Sequence, residues 1–272
     1  MKELIKKIDK RFNRNRLINW YGSRLYSELF EKYEAQYQLR INGNYKIHSS
    51  YLAQLSSDYG TDKGGILSPK ENFESSYHTY TDIYELLYGG MREQVSLVFE
   101  CGIGSNSKEI NGNFREWNDR VGKQRNSEKL NQPGASLRMW EEYFPNARII
   151  GADIDPECMI STDRIKTGVL DQTNPNSISN FWNQINLTEF DLMIDDGLHT
   201  FEAGKCLFEN SIARLKIGGH YVIEDVVLSD LQSYSQYYKD LPYNVFQLSL
   251  QRTNLGLASI HHNSMVIIQK NG

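Results

Sequence analysis

The sequence predicts an α/β protein with a seven-stranded, mostly parallel sheet, a C-terminal antiparallel hairpin and an N-terminal helical segment. From Val95 onward, short apolar runs alternate with stretches of helical periodicity, which favours right-handed crossovers between parallel strands. Two of the apolar runs end in acidic clusters, as expected where strand ends face a ligand crevice. The last two runs are joined by a loop too short for a crossover helix, so they should pair antiparallel.

The predicted strands are apolar runs bounded by polar or glycine-containing segments. The five parallel strands are predicted at 96–100, 147–153, 167–170, 190–195 and 218–223. The helices between them are predicted where apolar residues recur at helical spacing, at 136–143, 178–185 and 201–215. The hairpin strands are predicted at 244–250 and 264–268. Together these elements predict a Rossmann-like sheet.

Two regions are expected along the chain. Residues 1–90 are tyrosine-rich and helical in pattern, and we expect this region to contact substrate or another subunit, while residues 91–272 form the α/β domain. The basic, amphipathic start favours a helix docked on the protein's own surface or on a dimer partner over one that binds a membrane surface or a polyanion. The stretch 105–133 has almost no apolar periodicity, which predicts an inserted loop that is either a lid or disordered.

Composition restricts the class of protein. The chain has 272 residues, of which 39% are hydrophobic and 24% charged, as in soluble globular proteins. No apolar run approaches the roughly 20 residues that a membrane-spanning helix needs, and no secretory leader is expected. The net charge of −4 argues against bulk nucleic-acid binding. Three cysteines without metal-ligand spacing predict reduced thiols and a cytoplasmic location.

A glycine-containing turn follows the first predicted strand. Gly102 and Gly104 lie where a cofactor would approach the backbone too closely for a Cβ atom. The third glycine of a dinucleotide fingerprint would fall at position 107, which is Ser107. The pattern therefore suits adenosylmethionine better than NAD, although an ordinary tight turn explains the two glycines equally well.

Polar residues at the ends of the next two strands fit the same cofactor. Asp153 ends the second strand, where an acid can accept hydrogen bonds from ribose hydroxyls. Asp155 could do this instead, or could cap the following turn. Asp171 and Gln172 follow the third strand, where an acid can bind an adenine amino group, although a solvated turn is an equally good explanation. The three strand ends taken together predict adenosyl binding.

The two acidic clusters predict a metal site. Asp196, Glu224 and Asp225 could supply three oxygen ligands to Mg²⁺ and leave positions open for a sugar diol. Metal binding would lower the pKa of the hydroxyl, and His199, just past the first cluster, could accept its proton as general base. For one carboxylate, helix capping or pairing with a basic residue would be the better explanation, but two clusters at adjacent strand ends favour the metal.

The motifs in this order resemble the metal-dependent sugar O-methyltransferases of macrolide biosynthesis, which are class I adenosylmethionine-dependent enzymes. The resemblance runs from Tyr59 to the C-terminus. The segments that carry it are YGTDKG at 59–64, HTY at 78–80, the glycine turn at 102–104, GASLRMW at 134–140, GADI at 151–154, DDGLH at 195–199 and GHYVIED at 219–225.

The resemblance implies a set of roles. Asp196, Glu224 and Asp225 would hold Mg²⁺, and His199 would be the catalytic base, with Asp195 as the alternative. The residues expected to hold adenosylmethionine lie at strand ends or on the helix after the glycine turn, and are Glu100, Gly102, Gly104, Ser136, Asp153, Asp171, Gln172 and Asp195. The acceptor would be a sugar hydroxyl on a nucleotide sugar, a polysaccharide or a natural-product glycoside. A homo-oligomer is expected.

Two other functions are compatible with an α/β chain of this kind. An oxygenase resembling cephalosporin hydroxylases would need two histidines and one carboxylate for iron. Only His199 is predicted beside the acids, whereas His220 lies inside the fifth strand and is expected to pack in the core. A non-catalytic Rossmann-like binding protein would keep the glycine turn but would not need both acidic clusters.

Overall fold

The computed structural model describes residues 50–64, 78–107, 132–250 and 264–272. Its helices, in chain order, are α1 Tyr51–Tyr59, α2 Tyr80–Tyr88, α3 Ala135–Tyr143, α4 Pro175–Ile185, α5 Phe201–Ser211 and α6 Leu228–Tyr238. Its strands are β1 Leu97–Cys101, β2 Arg148–Asp153, β3 Ile165–Val169, β4 Phe190–Asp195, β5 Leu215–Ile223, β6 Tyr243–Ser249 and β7 Ser264–Lys270. Short 3₁₀ turns occur at Arg92–Gln94, Pro156–Cys158 and Ile212–Arg214.

The strands form one mixed sheet in the order β3-β2-β1-β4-β5-β7-β6. Strands β1 to β5 run parallel to one another, whereas β7 is antiparallel to both β5 and β6. The predicted fold class, including the antiparallel C-terminal pair, is confirmed. Within the pair, β7 continues the sheet next to β5 and β6 lies at the edge.

Helices cover both faces of the sheet, and each face has its own hydrophobic cluster. The face covered by α1, α2 and α3 is called the N-terminal face, and α4, α5 and α6 cover the opposite face. Side chains alternate between the faces along each strand, so Val98 belongs to the N-terminal face and Phe99 to the other. The described helices before residue 90 thus share a core with the sheet, while a domain division at that residue stays a prediction.

One predicted helix is shorter in the structure, and one helix of the structure was not predicted. The helix predicted at 201–215 ends at Ser211, and Leu215 begins β5 opposite Phe190. Helix α6 was not predicted, although Leu231, Tyr234 and Tyr238 recur at helical spacing and are buried. The pattern is visible only if tyrosine is counted as an apolar residue, because the other residues of this helix are mostly polar.

The segment after α1 is fixed by local hydrogen bonds. Ser50 caps the helix by accepting a hydrogen bond from the amide of Ala53 at 3.1 Å, and Gly60 ends it in the left-handed conformation with φ 73°. The hydroxyl of Ser56 donates to the carbonyl oxygen of Gly64 at 2.7 Å. These contacts fix the backbone on both sides of Lys63, whose side chain is buried.

Other expectations concern the cysteines, membrane-spanning helices and two further segments of the chain. The cysteines are free thiols, with Cys101 and Cys158 buried and Cys206 partly exposed, which agrees with the predicted reduced state. In the described ranges, no helix has the length and apolar character needed to cross a membrane. The predicted basic helix at the start of the chain, and the inserted stretch from 108 to 131, lie outside the described residues.

Candidate active site

The two acidic clusters meet where the sheet ends. Asp195 is paired with Cys101 of β1 on one side and with Ile223 of β5 on the other. Backbone hydrogen bonds continue one residue further, since the amide of Asp196 donates to Cys101 and that of Glu224 donates to Asp195, both at 2.9 Å. The carboxylates that follow β4 and β5 are therefore fixed side by side.

Alternation along the strands places three acids on the N-terminal face. Glu100 is paired with Ile194, two residues before Asp196, and Asp196 and Glu224 each follow directly after their strand. All three carboxylates fall on the same face and surround the ammonium group of Lys63. The distances from Lys63 Nζ are 3.1 Å to Glu100 Oε1, 2.7 Å to Asp196 Oδ2 and 2.5 Å to Glu224 Oε2. Burial alone would lower the pKa of Lys63, but the three carboxylates outweigh it and raise the pKa well above its usual value.

A second group of side chains lies beside the first. Oxygen and nitrogen atoms of Asp196, His199 and Asp225 all lie within 4.8 Å of one another, close enough to hold one metal ion. His199 Nε2 is 3.2 Å from Asp196 Oδ1, and its Nδ1 is 3.8 Å from Asp225 Oδ2. Burial would lower the pKa of His199, but Asp225 and Asp196 raise it to about 10. Although burial opposes it, the Lys63 ammonium holds the pKa of Asp196 below its usual range.

Both His199 and Asp225 have strained backbones. Their φ angles are 57° and 52°, in the left-handed region that residues other than glycine rarely adopt. Such conformations cost on the order of 1 kcal/mol or more each and persist where surrounding contacts enforce them, as they often do in active sites. Here both strained residues belong to the candidate metal group, to which one contributes an imidazole and the other a carboxylate.

Helix α2 contributes a row of tyrosine hydroxyls, which we call the tyrosine ladder and define as Tyr80, Tyr84 and Tyr88. These residues are spaced four apart and lie on one helix face. Their hydroxyls lie 2.6 Å from Asp225 Oδ1, 2.6 Å from Glu224 Oε1 and 2.8 Å from Nδ1 of His220, in that order. Burial and the nearby carboxylates raise the pKa of Tyr80 and Tyr84, so both hydroxyls stay protonated and donate.

A second histidine lies beside the acids. His78 stacks on Tyr80 with ring centroids 4.6 Å apart, and its Nε2 is 3.3 Å from Asp225 Oδ1. The expectation that only His199 lies beside the acids was therefore wrong, because His78, two residues before α2, also contacts Asp225. Asp62 is close to the same group, and burial raises its pKa. His220 packs against Tyr88 within the fold, as predicted.

Two of the three predicted Mg²⁺ ligands thus belong to the candidate metal group, and the third lies beside it. Asp196 and Asp225 lie in the candidate metal group with His199, which was predicted as a base. Glu224 is next to them, but its two oxygens are bound by Lys63 and Tyr84. Carboxylate oxygens and an imidazole within reach of one point fit a divalent cation, since such ions prefer oxygen ligands and also accept imidazole. Which residues coordinate the ion stays a prediction.

The glycine turn after β1 has a structural cause of its own. Gly102 and Gly104 have φ angles of 89° and 87°. A Cβ atom on Gly102 would lie 1.9 Å from the carbonyl oxygen of Asp196, so this glycine lets the turn after β1 touch the backbone after β4. Gly197 packs equally tightly, since a Cβ there would lie 1.7 Å from Gln172 Oε1. The structure therefore explains Gly102 by contact with the protein, and contact with a cofactor stays a prediction.

Gly102→Ala should destabilise the protein by more than Gly218→Ala. Both glycines have positive φ, which costs an alanine about 1–2 kcal/mol, but a Cβ on Gly218 would meet no atom within 4 Å. Urea unfolding should give a loss of about 1 kcal/mol or slightly more at position 218 and a clearly larger loss at 102. Equal losses would contradict the close contact with Asp196.

The strand-end acids predicted to bind ribose are engaged with backbone. Asp153 accepts hydrogen bonds from the amides of Ile103 at 2.9 Å and Asp155 at 3.1 Å, and it ties the turn after β1 to the end of β2. Burial raises its pKa. Asp155 caps the next turn by accepting from the amide of Glu157 at 2.9 Å and also binds the Ser105 hydroxyl. Capping was the second of the two roles considered for Asp155.

The residues after β3 separate into two environments. Asp171 accepts from the amide of Thr173 at 2.9 Å in an exposed turn. Gln172 is buried and bridges two loops, since its Nε2 donates to Asp195 Oδ1 at 3.1 Å and its Oε1 accepts from the amide of Leu198 at 2.7 Å. Asp195 points to the face opposite Asp196, and burial raises its pKa to about 6. Asp195 is therefore separated by the strand from the carboxylates around Lys63.

The remaining predicted cofactor residues surround the start of α3. Glu100 is fully buried, accepts a hydrogen bond from Trp140 Nε1 at 2.6 Å with one oxygen and faces the Lys63 ammonium group with the other. Ser136 lies close to it and is nearly buried. Arg138 donates to the carbonyl oxygen of Pro133 at 3.0 Å and closes the turn that begins α3. Cofactor binding by Glu100 and Ser136 stays a prediction.

Known proteins with similar sequences include several O-methyltransferases of Streptomyces and Micromonospora. The chain is 30% identical over 189 residues to the 8-demethyl-8-alpha-L-rhamnosyl tetracenomycin-C 2'-O-methyltransferase of Streptomyces olivaceus, a match that covers 70% of this chain and 41% of that protein. It is 30% identical to the demethylmacrocin O-methyltransferase of Streptomyces fradiae, over 64% of this chain and 36% of that protein. The mycinamicin VI 2''-O-methyltransferase of Micromonospora griseorubida gives the same figures. The chain thus spans less than half of the length of these relatives. No protein-family model matches it.

A solved structure with the same fold is that of the MycE methyltransferase from the mycinamycin biosynthetic pathway, in complex with Mg, SAH and mycinamycin VI. It is 22% identical with a TM-score of 0.54, and the match covers 83% of this chain and 56% of that one. A second crystal of MycE with Mg and SAH gives 24% identity and the same TM-score. This chain therefore has the fold of class I methyltransferases, and its sequence resembles those of the macrolide-sugar O-methyltransferases.

Proposed function

We propose that the protein is an adenosylmethionine- and Mg²⁺-dependent O-methyltransferase that acts on a sugar hydroxyl. The observation that carries this proposal is the convergence of Asp196, His199 and Asp225 at the carboxyl end of the sheet, one strand away from the glycine turn. In open α/β sheets, ligands bind in the crevice outside this edge. Similarity to O-methyltransferases of rhamnosyl and macrolide glycosides supports the acceptor class, and the Mg and SAH bound to MycE support the two cofactors.

Each group has a role that its position supports. Bound adenosylmethionine would supply the methyl group, and a bound divalent cation would lower the pKa of a sugar hydroxyl and fix its orientation. Asp196 and Asp225 would hold the cation, and the Glu224 carboxylate beside them would complete the acidic pocket. His199, between the two aspartates, would accept the hydroxyl proton. Gly104, Asp153 and Gln172 lie at the ends of β1, β2 and β3, where the cofactor would extend along the sheet edge.

Mg²⁺ binding should release a proton from His199. Although burial opposes it, the neighbouring carboxylates of Asp225 and Asp196 raise the pKa of His199 to about 10, so the imidazole is protonated at pH 7.5. A cation that engages these carboxylates removes the cause of the raised pKa, and about one proton should leave. Calorimetric titration in two buffers of different ionisation enthalpy measures this release, and His199→Asn should release about one proton fewer than wild type. Equal release from both proteins would contradict this role.

Methyl transfer can be tested directly. The protein should convert adenosylmethionine to adenosylhomocysteine in the presence of Mg²⁺ and a panel of nucleotide sugars, oligosaccharides and glycosides, and mass spectrometry should detect one added methyl group on the acceptor. EDTA should stop the reaction, and added Mg²⁺ should restore it. Full activity in EDTA would refute the metal requirement. Calorimetry that shows binding of NAD but none of adenosylhomocysteine would refute the cofactor.

An iron-dependent oxygenase is the second candidate function. The observation that favours it is His78, because two histidines and a carboxylate are the usual ligands of non-haem iron, and His78 and His199 both face Asp225. Oxygen consumption with Fe²⁺ and a reductant, without formation of adenosylhomocysteine, would identify this activity.

Two further expectations belong to the same proposal. We place the enzyme in the cytoplasm, where its free thiols would stay reduced. A homo-oligomer and the absence of nucleic-acid partners also stay proposals, and light scattering of the purified protein tests the first of them.

A further inference from the structure

Lys63 is a charged residue buried at the centre of the acidic group. Its side chain is 2% exposed, although lysine is rarely buried to this extent unless it is paired. It pairs with carboxylates from three different strands, at 3.1 Å or less. No role for it follows from the methyl-transfer reaction itself, since the ammonium group is enclosed by protein and donates to carboxylates.

Lys63 binds one oxygen of each of two carboxylates, and other side chains bind the second oxygen of each. On Asp196, Oδ2 accepts from Lys63 and Oδ1 faces His199. On Glu224, Oε2 accepts from Lys63 at 2.5 Å and Oε1 accepts from Tyr84 at 2.6 Å. Each oxygen of both groups therefore has a defined partner, and Glu100 anchors the ammonium group from the other side.

We propose that Lys63 and Tyr84 are positioning residues for the divalent cation. They hold the carboxylates of Asp196 and Glu224 against one ammonium group, although two carboxylates this close together repel each other. The hydroxyl of Tyr84 fixes the rotation of Glu224, and the ammonium group of Lys63 fixes its distance from Asp196. This inference rests on the proposed function, because it assumes that a cation binds at these acids.

A competing role predicts the opposite effect. If Lys63 acted only as a resident cation that balances the acids, its removal would leave a more negative site, which would bind Mg²⁺ more tightly. If Lys63 positions the ligands, its removal weakens Mg²⁺ binding. Loss of a residue that hydrogen-bonds a metal ligand usually lowers metal affinity by about 10–100-fold. The sign of the change in affinity therefore separates the two roles.

The test is calorimetric titration of the full chain with Mg²⁺. Lys63→Met keeps the length of the side chain without its charge, and Tyr84→Phe removes one hydroxyl. We expect both variants to bind Mg²⁺ roughly 10–100-fold more weakly than wild type. Adenosylhomocysteine affinity should stay unchanged in both. Tyr88→Phe is the matched control, since it removes the neighbouring hydroxyl of the tyrosine ladder, which contacts His220 and no carboxylate side chain.

The outcomes separate this inference from the proposed function. If wild type binds Mg²⁺ and both variants bind it as tightly or more tightly, the positioning role is overturned and the proposed function stands. A wild-type protein that binds no Mg²⁺ overturns both. If Lys63→Met does not fold, Tyr84→Phe decides alone, because the loss of one oxygen atom leaves the core of α2 intact.

Discussion

Asp225→Asn should lose metal-dependent methyl transfer and keep its affinity for adenosylhomocysteine. Asn is the sharper substitution at this position because, unlike Ala, it tolerates the left-handed backbone with φ 52°. The change removes one of the negative charges that face His199 and the candidate metal position. Turnover should fall by more than about 100-fold, because loss of a metal ligand itself should cost more than the 10–100-fold that is usual for a residue that hydrogen-bonds a ligand.

The measurement is the Mg²⁺ dependence of adenosylhomocysteine formation, with binding of adenosylhomocysteine measured in parallel. Asp240→Asn removes the same charge from an exposed position and should behave as wild type. The same loss is expected for Asp196→Asn, whose carboxylate joins Lys63 to His199. Retained turnover in Asp225→Asn at saturating Mg²⁺ would remove this residue from the metal site.

His199→Asn should lower kcat by roughly 10²–10⁴-fold, which is the usual contribution of a positioned base. Asn again suits the local backbone, which has φ 57°. Affinity for adenosylhomocysteine should change little, because the side chain contacts Asp196 and Asp225, which belong to the candidate metal group. The rate of wild type should rise with pH as the imidazole loses its proton, and the variant should lack this rise.

The pH–rate profile is the decisive measurement for His199. A variant with near-wild-type kcat and an unchanged profile would assign the base to another group. Asp195 was the alternative considered from the sequence, and its pKa of about 6 suits a base. Its carboxylate, however, is directed to the face opposite Asp196 and accepts from Gln172. Asp195→Asn therefore provides the comparison, and we expect it to keep the pH dependence of wild type.

The sequence predicted the sheet and its acidic ends because those features are local. Strand alternation has a period of two residues, so the common face of Glu100, Asp196 and Glu224 could be inferred once the strands were paired. The antiparallel terminal pair followed from the short connection between its strands. Helix α6 was missed because its buried face consists mainly of tyrosines, which also occur at surfaces.

The partners of the acids could not be predicted, because they come from a different part of the chain. Lys63 and His78 lie in motifs that the family resemblance contains, yet nothing local indicates that they meet Glu224 and Asp225. The sequence also could not show why position 102 needs a glycine. Its close neighbour is the carbonyl oxygen of Asp196, and only the tertiary fold brings the two together. Local pattern thus located the acids, and long-range packing determined what each carboxylate binds.

The tyrosine ladder has a consequence for the order in which the molecule folds. Its contacts with Glu224 and Asp225, and that of Lys63 with Glu224, join residues 140 to 161 positions apart in the chain. During synthesis α1 and α2 exist long before β5 leaves the ribosome, and closing so long a loop must precede any of these bonds. The acidic site therefore forms only when both ends of this span are present. A fragment that lacks α1 and α2 keeps every acidic motif, but it has lost the residues that hold them in place.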